Sequence, residues 1–129
     1  MLTPLEKAVL DVMFDQPGEL YATLRQHLAH ATVTKREVSG VGFFTSFTIP
    51  SDAPVRRDLA DRVIQDVAAD ISGLEHGASF VLFVREGVLS MLEGVTSTGE
   101  WPEDTHDFRV YRPQVPDFRR FFIIFSEIC

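Results

Sequence analysis

The sequence is short of several things at once. It has one cysteine, Cys129, in 129 residues. That excludes an internal disulfide framework and predicts a reducing compartment. Cys129 is also the last residue of this sequence, where a terminal carboxylate is expected to disfavour the reactive thiolate. No apolar run approaches the length that spans a bilayer. Glu6, Lys7 and Asp11 interrupt the place where a signal peptide would need an apolar centre. These absences predict a cytoplasmic protein that does not engage a membrane. Positive charge is scarce too: 12 Lys and Arg stand against 19 Asp and Glu, for a net charge of −7. The imbalance is local, since residues 63–107 hold nine acids against Arg85 alone, which is −8 and leaves +1 for the rest. A nucleic-acid reader needs a basic face, so no nucleic-acid partner is expected. An acid-rich stretch suits a basic protein partner, and equally suits a solvated surface that keeps the chain soluble.

Catalytic signatures are missing as well. Gly40-Val41-Gly42 is followed by neither a helix start nor Lys-Ser/Thr, so it marks a turn or bulge and not a phosphate loop. There is no dinucleotide fingerprint, no HExxH and no paired cysteine. Ser79 and Ser90 lie in strand-like runs with no nucleophile motif around them. No cofactor and no metal are implied by motif.

What is present predicts a single α+β domain over 1–129, with a helix pair at 1–31 packed on a mostly antiparallel sheet built from 32–129. Thr3-Pro4-Leu5-Glu6 is a helix start: Thr3 caps, Pro4 fits the first helical position, and Glu6 reaches back to the cap. Leu5, Val9, Val12 and Met13 follow at helical spacing, and after Pro17-Gly18 so do Leu20, Leu24, Leu28 and Ala31. His27 and His30 fall on this second helix as boundary or solvent-facing groups. Phenylalanine is abundant, at 11 residues, and seven of these lie in 43–47, 80–83 and 121–122. A Phe-rich sheet core follows. Phe43, Thr45, Phe47 and Ile49 share one face of a strand after the GVG turn. Thr32 to Ser39 reads as β, and Pro50 to Pro54 as a surface loop. Residues 55–72 carry two patterns. Leu59, Val63, Val67 and Ile71 recur every four residues, as in a helix, while Val67, Ala69 and Ile71 alternate, as in a strand. A polar or partly helical connection to about Arg62 and a strand over Asp66–Ile71 is preferred to a helix throughout. His106–Arg112 and Arg119–Ile128 complete the predicted strands.

The centre of the chain is the run from Glu75 to Val95. Phe80–Val84 and Val88–Val95 are apolar and flank Glu86-Gly87, which predicts a hairpin with a two-residue turn. Counting from that turn pairs Val84 with Leu89, Leu82 with Met91 and Phe80 with Glu93 on one face. Phe83 with Ser90 and Val81 with Leu92 then form the other. In this register Glu93 is a carboxylate among apolar companions, costly unless paired, and a candidate acid or base. The same count brings Glu75 and His76 near Ser97 and Thr98, at the end from which the loop with Glu100, Trp101, Asp104 and His106 departs.

Three readings of that corner compete. His76, His106 and nearby acids offer metal-ligand chemistry, without recognisable ligand spacing. Glu93 with His76 offers acid–base catalysis, without a nucleophile. A binding surface anchored on Trp101 and ringed by Glu75, Glu100, Asp104 and His106 asks least of the residues. It is preferred over the enzyme reading, with a basic protein or a small molecule as the partner and self-association left open. Trp101-Pro102 also reads as a plain hydrophobic plug at the sheet's edge.

Gly40-Val41-Gly42-Phe43-Phe44-Thr45 and the later HGASFVLFVREGVLSMLEGVTSTGEWPE resemble segments of a group of small bacterial proteins of unknown function. That group shares GVGFFT-like and HGAxFxLF…LEGxT…WP-like stretches. The resemblance covers residues 32–103 and implies that Asp66–Ile71 is extended. It implies no activity, substrate or catalytic residue. Val95 stands where the group carries an aromatic residue after LEG, which argues against a shared aromatic pocket at that position.

Overall fold

A computed structural model describes residues 1–50, 52, 61–97 and 99–113. The predicted α+β architecture holds. Two helices, α1 (Pro4–Met13) and α2 (Glu19–His30), precede strands β1 (Thr32–Val38), β2 (Gly42–Thr48), β3 (Arg62–Ile71), β4 (Ala78–Arg85), β5 (Val88–Val95) and β6 (Phe108–Tyr111). The six strands form one sheet in the order β1-β2-β5-β4-β3-β6, with every neighbouring pair antiparallel. The predicted strand over Arg119–Ile128 lies outside the described residues, as does most of the Pro50–Pro54 loop. Among the described residues no helix is long and apolar enough to cross a membrane.

The start of α1 is the one the sequence announces. Thr3 Oγ accepts the Glu6 N–H at 3.1 Å, and Glu6 Oε1 accepts the Thr3 N–H at 2.8 Å. Leu5, Val9, Leu10 and Met13 face inward, while Val12 is only half-buried. At the other end, arginines from elsewhere in the chain bond carbonyls in and just past the last turn, where intrahelical donors run out. Arg25 donates to Phe14 O and Gln16 O, and Arg112 to Val12 O and Met13 O. The helix crosses the sheet obliquely. Its N-terminal end stands over β1 and β2, its C-terminal end over β3 and β6.

One face of the sheet carries the core. Phe43 and Phe47 of β2, Val67, Ala69 and Ile71 of β3, Phe80, Leu82 and Val84 of β4, and Leu89 and Leu92 of β5 all point toward the helices and are buried. Phe43 and Phe47 flank Thr45, as the alternation predicted.

The hairpin register differs from the expected one. The turn is where the sequence places it: Arg85 opposes Val88, and Glu86 and Gly87 both take positive φ, 53° and 79°. Val84 also meets Leu89. Ser90 then has no partner of its own, and the pairing moves on to Phe83–Met91, Leu82–Leu92, Val81–Glu93 and Phe80–Gly94. Phe80 and Glu93 therefore sit on opposite faces. The reason is burial. In the expected register Met91 and Glu93 would lie under the helices and Leu92 would face away. A one-residue bulge reverses this, putting Leu89, Leu92 and Gly94 inward and the carboxylate outward.

β3 begins at Arg62, four residues earlier than expected. It too is bulged, between Ile64 and Val67. His27 is the second correction on the helix side. It is fully buried, and its Nδ1 accepts the Leu89 N–H at 3.4 Å, two residues past the last β2–β5 pair, Ser46–Met91. The imidazole thus satisfies a backbone donor beyond the end of a ladder, where no strand reaches it. His30 is exposed, as expected.

Candidate functional site

One end of the sheet gathers the N-terminus of α1, the β1–β2 turn and the loop after β5. Two backbone bonds strap that loop down: Thr96 N–H to Val41 O and Trp101 N–H to Gly40 O, each 2.8 Å. The Trp101 ring then lies against Phe43, with centroids 5.3 Å apart and planes at 55°. Phe43 in turn meets Phe80 at 6.4 Å. The aromatic row depends on Gly94. A Cβ there would stand 2.5 Å from the Phe43 ring and 2.9 Å from the Phe80 ring, so any side chain would push the row apart. Trp101 is half-buried, so it both closes the core and offers a face outward.

Between this ring and α1 lies a cleft of about 320 Å³. Its apolar walls are Leu5, Val38, Phe43, Trp101 and Pro102. Thr3, Thr105 and Glu103 also line it, and Glu6 and Arg36 supply an ion pair whose carboxylate is buried and whose guanidinium reaches water.

That pair arises from strand geometry. β1 is bulged at Thr34, which turns Arg36 and Val38 to the same inward side as Val33. Arg36 comes to lie opposite Thr45, directly beneath the first turn of α1. Arg36 Nη2 donates to Glu6 Oε1 at 2.6 Å and Nε to Oε2 at 3.0 Å; the Thr45 hydroxyl also donates to Oε2. With the Thr3 N–H, every lone-pair region of the Glu6 carboxylate is occupied although the residue is only 1% exposed. Burial pushes the Glu6 carboxyl up, but Arg36, Thr45 and Thr3 together outweigh it and hold the group below its ordinary value of 4.5. The hydrogen bond to Glu6 raises Arg36 in turn. Arg36 Nη2 also donates to Met1 O at 3.0 Å.

The acids expected around Trp101 are on the same loop and its neighbour. Gly73, in the β3–β4 turn, stands against Pro102, and Ser72 N–H bonds to Asp107 O at 2.9 Å. The turn carrying Glu75 and His76 therefore adjoins the loop carrying Glu100, Glu103, Asp104 and His106, and all six of these side chains are exposed. Asp104 accepts both the backbone N–H and the ring of His106, which holds its carboxyl below the ordinary range.

Two other expected members lie outside this cleft's lining. Glu93 is half-buried on the face of the sheet away from the helices, across from Val81 and Phe44. His76 lies in the turn before β4, at the sheet's end. The corrected register leaves the pairing of these two as acid and base without its geometric premise. Among the described residues no three His, Cys, Asp or Glu side chains form a group that could hold a metal ion.

Sequence reasoning found Trp101 and missed Glu6, Arg36, Val38 and Phe43 as its neighbours. By local spacing Glu6 is a cap alone. The available signal is the Lys35-Arg36-Glu37 charge cluster in a β-like run, of which Arg36 alone shares a strand face with Val38. A second, shallower cleft of about 970 Å³ lies beside the two helices, with Leu2, Val12, Phe14 and Leu28 in its floor. Its rim ion pair, Lys7–Asp11 at 2.7 Å, is exposed, and no polar side chain among its described lining residues is buried. Comparisons with protein-family models, curated proteins and solved structures find no match to this chain.

Proposed function

We propose that this is a binding protein that presents the Trp101 cleft to a basic protein partner, in the way an immunity-type protein neutralises its target. The observation that carries the reading is one aromatic side chain, half-buried over a Phe row and framed by exposed acids. Residues 99–107 hold four acids and no lysine or arginine. Large aromatic anchors in part-desolvated pockets supply most of the energy of an interface, and a charged rim supplies steering and selectivity. A buried carboxylate with all its bonds satisfied suits a rigid support better than a reacting group, because it has no lone pair left to offer a substrate.

The test is partner capture from the source cell with wild type and Trp101→Ala side by side, read by native mass spectrometry. A stoichiometric basic partner, present with wild type and lost with the variant, is the expected result. Equal capture by both, or a monomer under all conditions, rejects the reading.

A further inference from the structure

The cleft also carries an inference about what enters it, and this rests on the binding reading above. Its volume of about 320 Å³ is at the small end of ligand sites. That suits one long side chain better than a cofactor. The walls are apolar along their length, from Val38 and Leu5 to Phe43, Trp101 and Pro102.

The charges decide between ligand classes. A helix N-terminus and an arginine at one site would ordinarily invite an anion. Here both are already committed. The Glu6 carboxylate caps α1 from within and takes Arg36 Nε and Nη2 as well. Glu6 and Arg36 therefore cancel, and Arg36 is the only cation among the described residues that line the cleft. The remaining charge in the lining is Glu103, exposed at the mouth, with Glu100 and Asp104 on the same loop. An anion would meet a neutral floor and a negative mouth. A cation with an apolar stem would meet walls that match its methylenes, an indole face that attracts positive charge, and a carboxylate at the exit.

We propose that the cleft receives a lysine or arginine side chain of the partner, its stem along Val38 and Trp101 and its charged head at Glu103. Recognition of a basic partner then has two parts. Exposed acids steer the approach, and one inserted cation sets the register.

Trp101 is the only tryptophan, so the protein's own fluorescence reports on this wall. Short capped peptides containing one arginine or lysine should shift its emission saturably. Citrulline and norleucine versions should bind about fivefold more weakly, the loss expected when an exposed cation–π contact and ion pair are removed together. Glu103→Gln should weaken the arginine peptide about two- to fivefold, the range of an exposed ion pair, and the effect should shrink at high salt. Glu103 is exposed, so the variant should keep its fold; circular dichroism checks this. Norleucine binding as tightly as lysine would make the cleft a purely apolar site and overturn the inference. So would tighter binding of a glutamate peptide, or no saturable shift with any peptide. Each of these outcomes is separate from the capture experiment, in which Trp101→Ala can lose the whole partner whether or not a cation enters the cleft.

Discussion

At the scale of single residues, Glu6 has the most to do. It caps α1, neutralises Arg36 and receives Thr45, so one side chain joins the first helix to two strands. Removing one partner from a buried ion pair costs about 3–5 kcal/mol, and less where the other partner reaches water. The Arg36 side chain is 32% exposed. Glu6→Ala should therefore lose roughly 3 kcal/mol in urea unfolding, with the lost cap included; a loss within error of zero would show that water replaces the carboxylate freely. The pH dependence has a definite sign. Because the folded group is held below 4.5, its contribution is fully present above that pH and disappears as pH falls through the lower folded value. The stability gap between wild type and Glu6→Gln should narrow below pH 4.5 and stay flat from there to neutrality. Of all this, the sequence displayed only the cap. Thr3 and Glu6 are three residues apart and a capping box is local. Arg36 and Thr45 are 30 and 39 residues away from Glu6, and only folding brings them in.

At the scale of elements, the recurrent device is the bulge. β1, β3 and β5 each carry one extra residue, and each turns inward a pair of side chains three apart: Val33 and Arg36, Ile64 and Val67, Leu89 and Leu92. Strict alternation cannot do this. The extra residue Ser90 is why a straight count from Gly87 misplaces Glu93. A bulge leaves no local signature here, because it is chosen by which side chains the helices can bury. Deleting Ser90 makes the point testable. Without it, Leu89 or the Leu92–Gly94 pair must turn away from the core, and the loss should be on the order of 3 kcal/mol, as for a truncated core leucine. Wild-type stability in the deletion variant, measured by chemical denaturation, would mean that the bulge is incidental.

At the scale of the molecule, the sheet has the order β1-β2-β5-β4-β3-β6, and α1 runs obliquely across it. Arg112, just past β6, ties the far side together. It reaches Asp66 on β3 and the carbonyls of Val12 and Met13 at the end of α1. Its side chain is 25% exposed, so these bonds are partly shielded from water. Arg112→Ala should cost roughly 2 kcal/mol, the value of charge-assisted bonds to part-buried groups. It should also raise amide exchange in β6 and the last turn of α1 ahead of β4 and β5. Uniform exchange changes would instead show that Arg112 acts only through global stability.

The amino-acid sequence by itself determined the elements whose causes are local. These are the capped first helix, the Glu86-Gly87 reversal, the Phe-bearing β2 face, the acidic character of residues 63–107 and Trp101 as the aromatic anchor beside acids. The tertiary structure decided everything that depends on which distant groups must share a dry interior. It chose the register of β4 against β5, buried His27 against Leu89, turned Glu93 away from the helices, and closed Glu6 onto Arg36 in the cleft that Trp101 also lines. Burial is a property of the whole fold, and a slip of one residue reverses it for an entire strand.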